Sequence, residues 1–169
     1  SASPEPKPKL LMRLFWLLQF PDEARFWKWH LQPAMRRYFQ ERPDCSAVMV
    51  HGPPFSHFFA VAKSVRRYPE KKPRLLFDFR DPWSEDLGFY YPFSFLRKRL
   101  KQREKALLTL PDIVTFATQG LKQDFARLYP QTNSRRFTLR NGFDADDIDA
   151  ELFSKSPGKF VMAHVGHLG

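Results

Sequence analysis

The chain has 169 residues, 28 Lys and Arg against 18 Asp and Glu (net charge +10), 43% hydrophobic and 27% charged residues; that fits one globular domain with at most a fragment of a second and excludes a disordered chain. A single cysteine, Cys45, excludes an intramolecular disulfide framework and a multi-cysteine zinc site, and favours a reducing, cytoplasmic compartment. The most apolar run, residues 10–20, is broken by Arg13 and Gln19; it falls short of the ~20 residues of a bilayer span and lacks a secretory cleavage pattern.

Residues 1–9 alternate Pro with small and charged residues and read as disordered or as a cloning remnant. Residues 10–20 suit a buried helix stopped by Pro21. Asp22 is placed as an N-cap, after which Phe26, Trp27, His30, Leu31 and Ala34 recur at helical spacing, and Pro33 is expected to kink or interrupt that helix. Ala47–Val50 is a short apolar run suited to a strand buried on both faces, broken by His51-Gly52-Pro53-Pro54. Phe55, Phe58, Phe59, Ala62 and Val65 form a helical stripe, with Ser56 in capping position. Leu75–Phe79 reads as the second strand, followed by Arg80-Asp81-Pro82-Trp83. A loop through Tyr91 leads to a helix carrying Phe93, Leu96, Leu100 and Leu107; Ile113–Ala117 is the third strand, Gly120–Leu128 the next helix, and Phe137–Leu139 the fourth strand, ending at Arg140-Asn141-Gly142. Residues 145–159 read as an interdomain linker, and 160–166 as a new strand opening a second unit.

Strands alternating with helices at this spacing imply an α/β fold, a partial Rossmann-like parallel sheet flanked by helices, over residues 10–144. In such sheets ligands bind beyond the carboxyl ends of the strands. Three polar breaks fall there: His51–Pro54, Arg80–Trp83 and Asn141-Gly142-Phe143-Asp144.

In this order the segments resemble the amino-terminal half of a family 4 glycosyltransferase of the two-domain GT-B fold. The resemblance rests on Asp78-Phe79-Arg80-Asp81-Pro82-Trp83, similar to the family's D-(F/L)-R-D-P-W segment. Pro21-Asp22 with Trp27, Arg42-Pro43-Asp44 and Gly52-Pro53-Pro54-Phe55-Ser56 add to it, as do Asn141-Gly142-Phe143-Asp144 and residues 160–166. It spans residues 21–166 and implies a piece of an enzyme: the later part of the acceptor-side domain and the first strand (160–169) of the donor-binding domain. The intact enzyme is then expected to transfer a sugar from a nucleotide-sugar donor to a sugar or lipid-linked acceptor. The resemblance implies retention of anomeric configuration, no metal and no cofactor, and a role in envelope or surface polysaccharide synthesis. The chain by itself is expected to transfer no sugar.

The catalytic candidates are Arg80 and Asp81. Many relatives place a histidine near Arg80; an arginine at a strand end can hold a phosphate or hydroxyls through its fixed fork of donors, and Asp81 can orient it. The alternative is a pair that only braces the loop, with Trp83 in the core. His51, Gly52, Pro53, Phe55 and Trp83, with Asn141, Gly142 and Gly166, are the substrate-binding candidates; the 51–54 segment can equally be a turn into the following helix. The histidine pairs His51/His57 and His164/His167 lack the carboxylates of a metal site.

Residues 97–105 carry six cations against Glu104. Their default is a solvated helix face; the alternative is that Arg97, Lys98, Lys101 and Lys105 contact an anionic membrane surface, with Tyr90, Tyr91 and Phe93 as its apolar part, placing the protein on the inner face of the membrane. A second reading of the whole is a non-enzymatic basic module for nucleic acid or an anionic surface. No nucleic-acid-binding motif supports nucleic acid as a partner. The open sheet edge can pair with a second copy as a homodimer.

Overall fold

A computed structural model describes residues 17–18, 20–85, 93–132, 134–144 and 146. The expected helix at 10–20 lies almost wholly outside these residues, as do Tyr90, Tyr91, most of the linker, and the strand at 160–166 with Gly166.

Four strands follow in chain order, β1 (Ala47–Gly52), β2 (Arg74–Phe79), β3 (Ile113–Phe116) and β4 (Arg135–Thr138), and they lie side by side in that order, all parallel. Among the described residues four helices flank them: α1 (Lys28–Glu41), α2 (Ser56–Arg67), α3 (Ser94–Leu107) and α4 (Gln119–Leu128). A 3-10 helix, Glu23–Phe26, precedes α1. The expected partial Rossmann-like α/β fold is therefore present.

Strand register fixes two faces, because successive side chains alternate. Val50 lies beside Phe77, Phe77 beside Val114, and Phe79 beside Phe116. This face meets the helices: Phe58 of α2 packs on Phe77 and Phe79, and Phe125 of α4 on Phe79 and Phe116. Leu100 and Leu107 of α3 complete the core. These phenylalanines are the main source of cohesion, at roughly 1.5–3 kcal/mol for each buried large apolar side chain. The other face carries Met49, Leu76, Ile113, Phe137 and Leu139, of which Met49, Phe137 and Leu139 are exposed.

Four local expectations are corrected. α1 runs through Pro33 without ending; the proline ring removes one backbone donor, but the helix is held from below by Leu31, Met35 and Phe39 packing on the core. The buried stripe of α1 is thus Leu31, Met35 and Phe39, whereas Phe26, Trp27, His30 and Ala34 face outward. The reason is a change of helix type at Trp27, which breaks the phase between the 3-10 turn and α1. β4 begins two residues earlier than the apolar run suggested, with Arg135 beside Ile113, and ends at Thr138. Finally, Ser56 does not cap α2 through its own side chain. Asp22 does this from 33 residues away: its carboxylate accepts from the backbone N–H groups of Phe55 (3.0 Å) and Ser56 (2.8 Å) and from the Ser56 hydroxyl (2.5 Å). Asp22 also caps its own 3-10 helix through Ala24 N–H, as the sequence placed it.

Candidate functional site

At the carboxyl ends of the strands, register sets His51, Asp78 and Thr115 in one row across β1, β2 and β3. Asp78 is fully buried beneath its neighbours. Its Oδ2 accepts from His51 Nδ1 at 2.7 Å and from Arg80 Nε at 2.6 Å, and its Oδ1 from the Thr115 hydroxyl at 2.5 Å. Arg80 then reaches across β3: its Nη1 donates to the Leu139 carbonyl at 2.9 Å and to Asn141 Oδ1 at 2.7 Å. Four segments separated by up to 90 residues are joined by one carboxylate and one guanidinium.

The network leaves functional groups pointing outward. Since Asp78 accepts on both oxygens, the proton of the His51 bond sits on Nδ1, and a neutral imidazole then offers Nε2 as an acceptor. The His51 side chain is 63% exposed. Arg80 keeps Nη2 without a hydrogen-bond partner among the described residues, and its side chain is 25% exposed. An acceptor beside a cationic donor suits a hydroxyl-rich or phosphate-bearing ligand.

The other candidates fall in different places. Asp81 is exposed and makes none of the Arg80 bonds; the carboxylate that orients Arg80 is Asp78, which the sequence reading left within a strand. Asp81 instead lines a cavity of about 220 Å³ with Asp22, Glu23, Pro53, Pro54, Phe55, Pro82 and Trp83. That volume is below the ~300 Å³ at which drug-sized ligand pockets begin. A larger concavity, about 550 Å³ and lined by Arg74, Asp112 and Arg135 among others, lies at the amino ends of the strands, the edge opposite the one at which open α/β sheets bind ligands.

Phe55 and Trp83 are core residues, both buried, with ring centroids 5.2 Å apart. Gly52 has a packing role: a Cβ there would lie 2.5 Å from the Phe55 ring and 2.9 Å from Phe58. Gly52–Pro53 and Pro53–Pro54 are both cis. Asn141 is bound to Arg80, whereas Gly142 is exposed with open space about it. Among the described residues, His51 and His57 included, no three of His, Cys, Asp and Glu gather as they would to hold a metal ion. His57 is half-buried, and burial lowers its pKa below the ordinary 6.5, opposed by the negative charge of Asp22.

The cationic face of α3 is partly neutralised. Arg97 pairs with Glu85 at 2.7 Å and Lys101 pairs with the same carboxylate, leaving Lys98, Arg99, Arg103 and Lys105 exposed outside these pairs. These cations hold Glu85 below the ordinary carboxyl pKa, with the Lys101 hydrogen bond the largest cause. Glu104, read from sequence as the lone acid of this face, points the other way. It is buried and accepts from Ser84 N–H at 3.3 Å, from the Ser84 hydroxyl, and from the Tyr129 hydroxyl at 2.5 Å. Burial raises its pKa, and burial together with the Glu104 charge raises that of Tyr129. This triad ties the loop after β2 to α3 and to the end of α4.

No protein-family model, curated protein or solved structure matches the chain. Among the described residues no helix is long and apolar enough to cross a membrane.

Proposed function

We propose that the chain is the acceptor-side portion of a GT-B glycosyltransferase that moves a sugar from a nucleotide-sugar to a sugar or lipid-linked acceptor. The observation that carries this reading is the convergence of its motifs. His51 beside Gly52-Pro53-Pro54, Arg80 after the β2 end Asp78-Phe79, and Asn141-Gly142 belong to three separate chain segments, and the Asp78 and Arg80 hydrogen bonds gather them at one sheet edge. That edge is where open α/β sheets take ligands.

In glycosyl transfer the bond between the anomeric carbon and a diphosphate oxygen breaks, and a bond forms to an acceptor hydroxyl oxygen, which gives up its proton. Negative charge grows on the departing diphosphate. Arg80, with Nε and Nη1 already committed, presents Nη2 as a pre-oriented donor toward that charge or toward sugar hydroxyls. His51 Nε2 can accept from a sugar hydroxyl, and Asp78 positions both groups. Closure against a donor-binding domain would exclude water from this edge. The reading carries with it a retaining, metal-independent reaction. The test is turnover of nucleotide-sugars by a protein in which this chain is joined to its donor-side half. Loss of transfer in Arg80→Ala and Asp78→Asn is expected, and undiminished transfer in both variants would overturn the reading.

A further inference from the structure

Residues 25–40 contain four cations (Arg25, Lys28, Arg36 and Arg37) and no carboxylate. Within α1, Lys28, Trp29, Gln32, Arg36 and Arg37 recur at helical spacing along a flank beside the stripe of Leu31, Met35 and Phe39. With Tyr68 they line an open groove of about 490 Å³. Large aromatics stand exposed in the same stretch, Trp29 in the groove lining and Phe26 and Trp27 before it in the chain. Trp29 is 63% exposed, Trp27 56% and Phe26 44%. Phe26 stacks on Trp29 with centroids 5.0 Å apart, Arg25 lies over Phe26 at 4.2 Å, and Lys28 over Trp29 at 5.7 Å.

We infer that the 3-10 helix and the outward face of α1 form a docking surface for an anionic lipid bilayer. Indole and phenyl rings left in water on a helix whose other face fills the core are unfavourable in solution, whereas the bilayer interface accepts their apolar bodies and polar edges. The flanking cations supply attraction to anionic headgroups; the acids of these two elements, Glu23 and Glu41, stand at the two ends of the surface, so four cations face two carboxylates. The face of α3 is the weaker candidate, because it carries no tryptophan and Glu85 already holds two of its six cations, Arg97 and Lys101. Single-stranded nucleic acid also uses cations with aromatics, but here Phe26 and Lys28 already sit against the Trp29 ring, so a base would have to displace one of them. The surface adjoins the small cavity that Asp22 and Glu23 share with Pro53, Pro54 and Asp81. The inference does not depend on the glycosyltransferase reading.

The test is co-sedimentation of the 169-residue chain with phosphatidylcholine vesicles containing about 30 mol % phosphatidylglycerol, with pure phosphatidylcholine and a thymidine oligonucleotide alongside. Binding to the anionic vesicles is expected. At about five-fold per cation, Lys28→Gln/Arg36→Gln/Arg37→Gln should bind about 100-fold more weakly. Trp29→Ala should weaken binding without altering its salt dependence, and Lys98→Gln/Lys105→Gln should bind as the parent does. Circular dichroism melts establish that the variants, all at exposed positions, are folded. The inference is overturned by absence of binding to anionic vesicles, by an unchanged triple variant, by loss confined to the α3 variant, or by oligonucleotide binding without vesicle binding.

Discussion

Replacing Glu104 tests whether the buried polar triad holds the loop after β2 in place. In Glu104→Ala the Ser84 N–H loses its acceptor, and the Ser84 and Tyr129 hydroxyls lose theirs, although these two lie 3.4 Å apart and can bond each other. An orphaned buried donor costs about 1–3 kcal/mol, and the lost hydrogen bonds and packing bring the expected total to about 3 kcal/mol. At roughly 2–4 °C per kcal/mol for a domain of this size, Tm should fall by about 9 °C. Glu104→Gln keeps the volume and can satisfy the same three partners, so its cost should stay near ~1 kcal/mol. The two variants also separate on pH. Burial raises the Glu104 pKa above the ordinary 4.5, so between these values the folded chain binds more protons than the unfolded one. The contribution of Glu104 is then full below pH 4.5 and falls as pH rises through the raised value. Thermal melts from acid to neutral pH should show that slope in the parent and not in Glu104→Gln. Parallel pH profiles for parent and Gln variant, or an Ala variant within about 1 °C of the parent, would refute the reasoning.

Other consequences can be checked on the same chain. Gly52→Ala, whose Cβ would meet the Phe55 ring at 2.5 Å, should lose about 2 kcal/mol in urea unfolding; Gly142→Ala, with open space about it, should stay within about 0.5 kcal/mol. Asp22→Ala removes the cap of α2 and should cost about 2–3 kcal/mol, with Asp22→Asn in between; equal stability of Asp22→Ala and parent would show that the cap contributes nothing. His57 should titrate below 6.5 by NMR, so its share of the stability is present above pH 6.5 and declines as pH falls through the lowered value; a midpoint at or above 6.5 would contradict its burial.

The parallel sheet was legible because apolar runs such as Leu75–Phe79 and stripes such as Phe55, Phe58, Ala62 and Val65 report burial directly. So was the convergence of polar breaks on one edge, since strand ends in a parallel sheet fall together. The partner of Arg80 was not legible, because Asp78 sits inside an apolar run and its bonds to His51 and Thr115 arise from strand register. A signal did exist: Asp78 and Thr115 are polar residues within otherwise apolar strands, and a buried polar group needs a partner. The Asp22 cap spans 33 residues, and no local pattern announces such a bond. The outward turn of Phe26 and Trp27 escaped the periodicity because the helix type changes within the stretch.

The central claim is that Asp78 organises a sugar-handling edge by holding His51 and Arg80. Its most direct test is kcat/KM for nucleotide-sugar transfer by the chain joined to its donor-side half, in the parent and in Arg80→Ala, His51→Ala and Asp78→Asn. Losses of about 100-fold in Arg80→Ala and Asp78→Asn, with a smaller loss in His51→Ala, are the expected result. Transfer at the parental rate in Arg80→Ala and Asp78→Asn would contradict the account and leave the network a brace between strands.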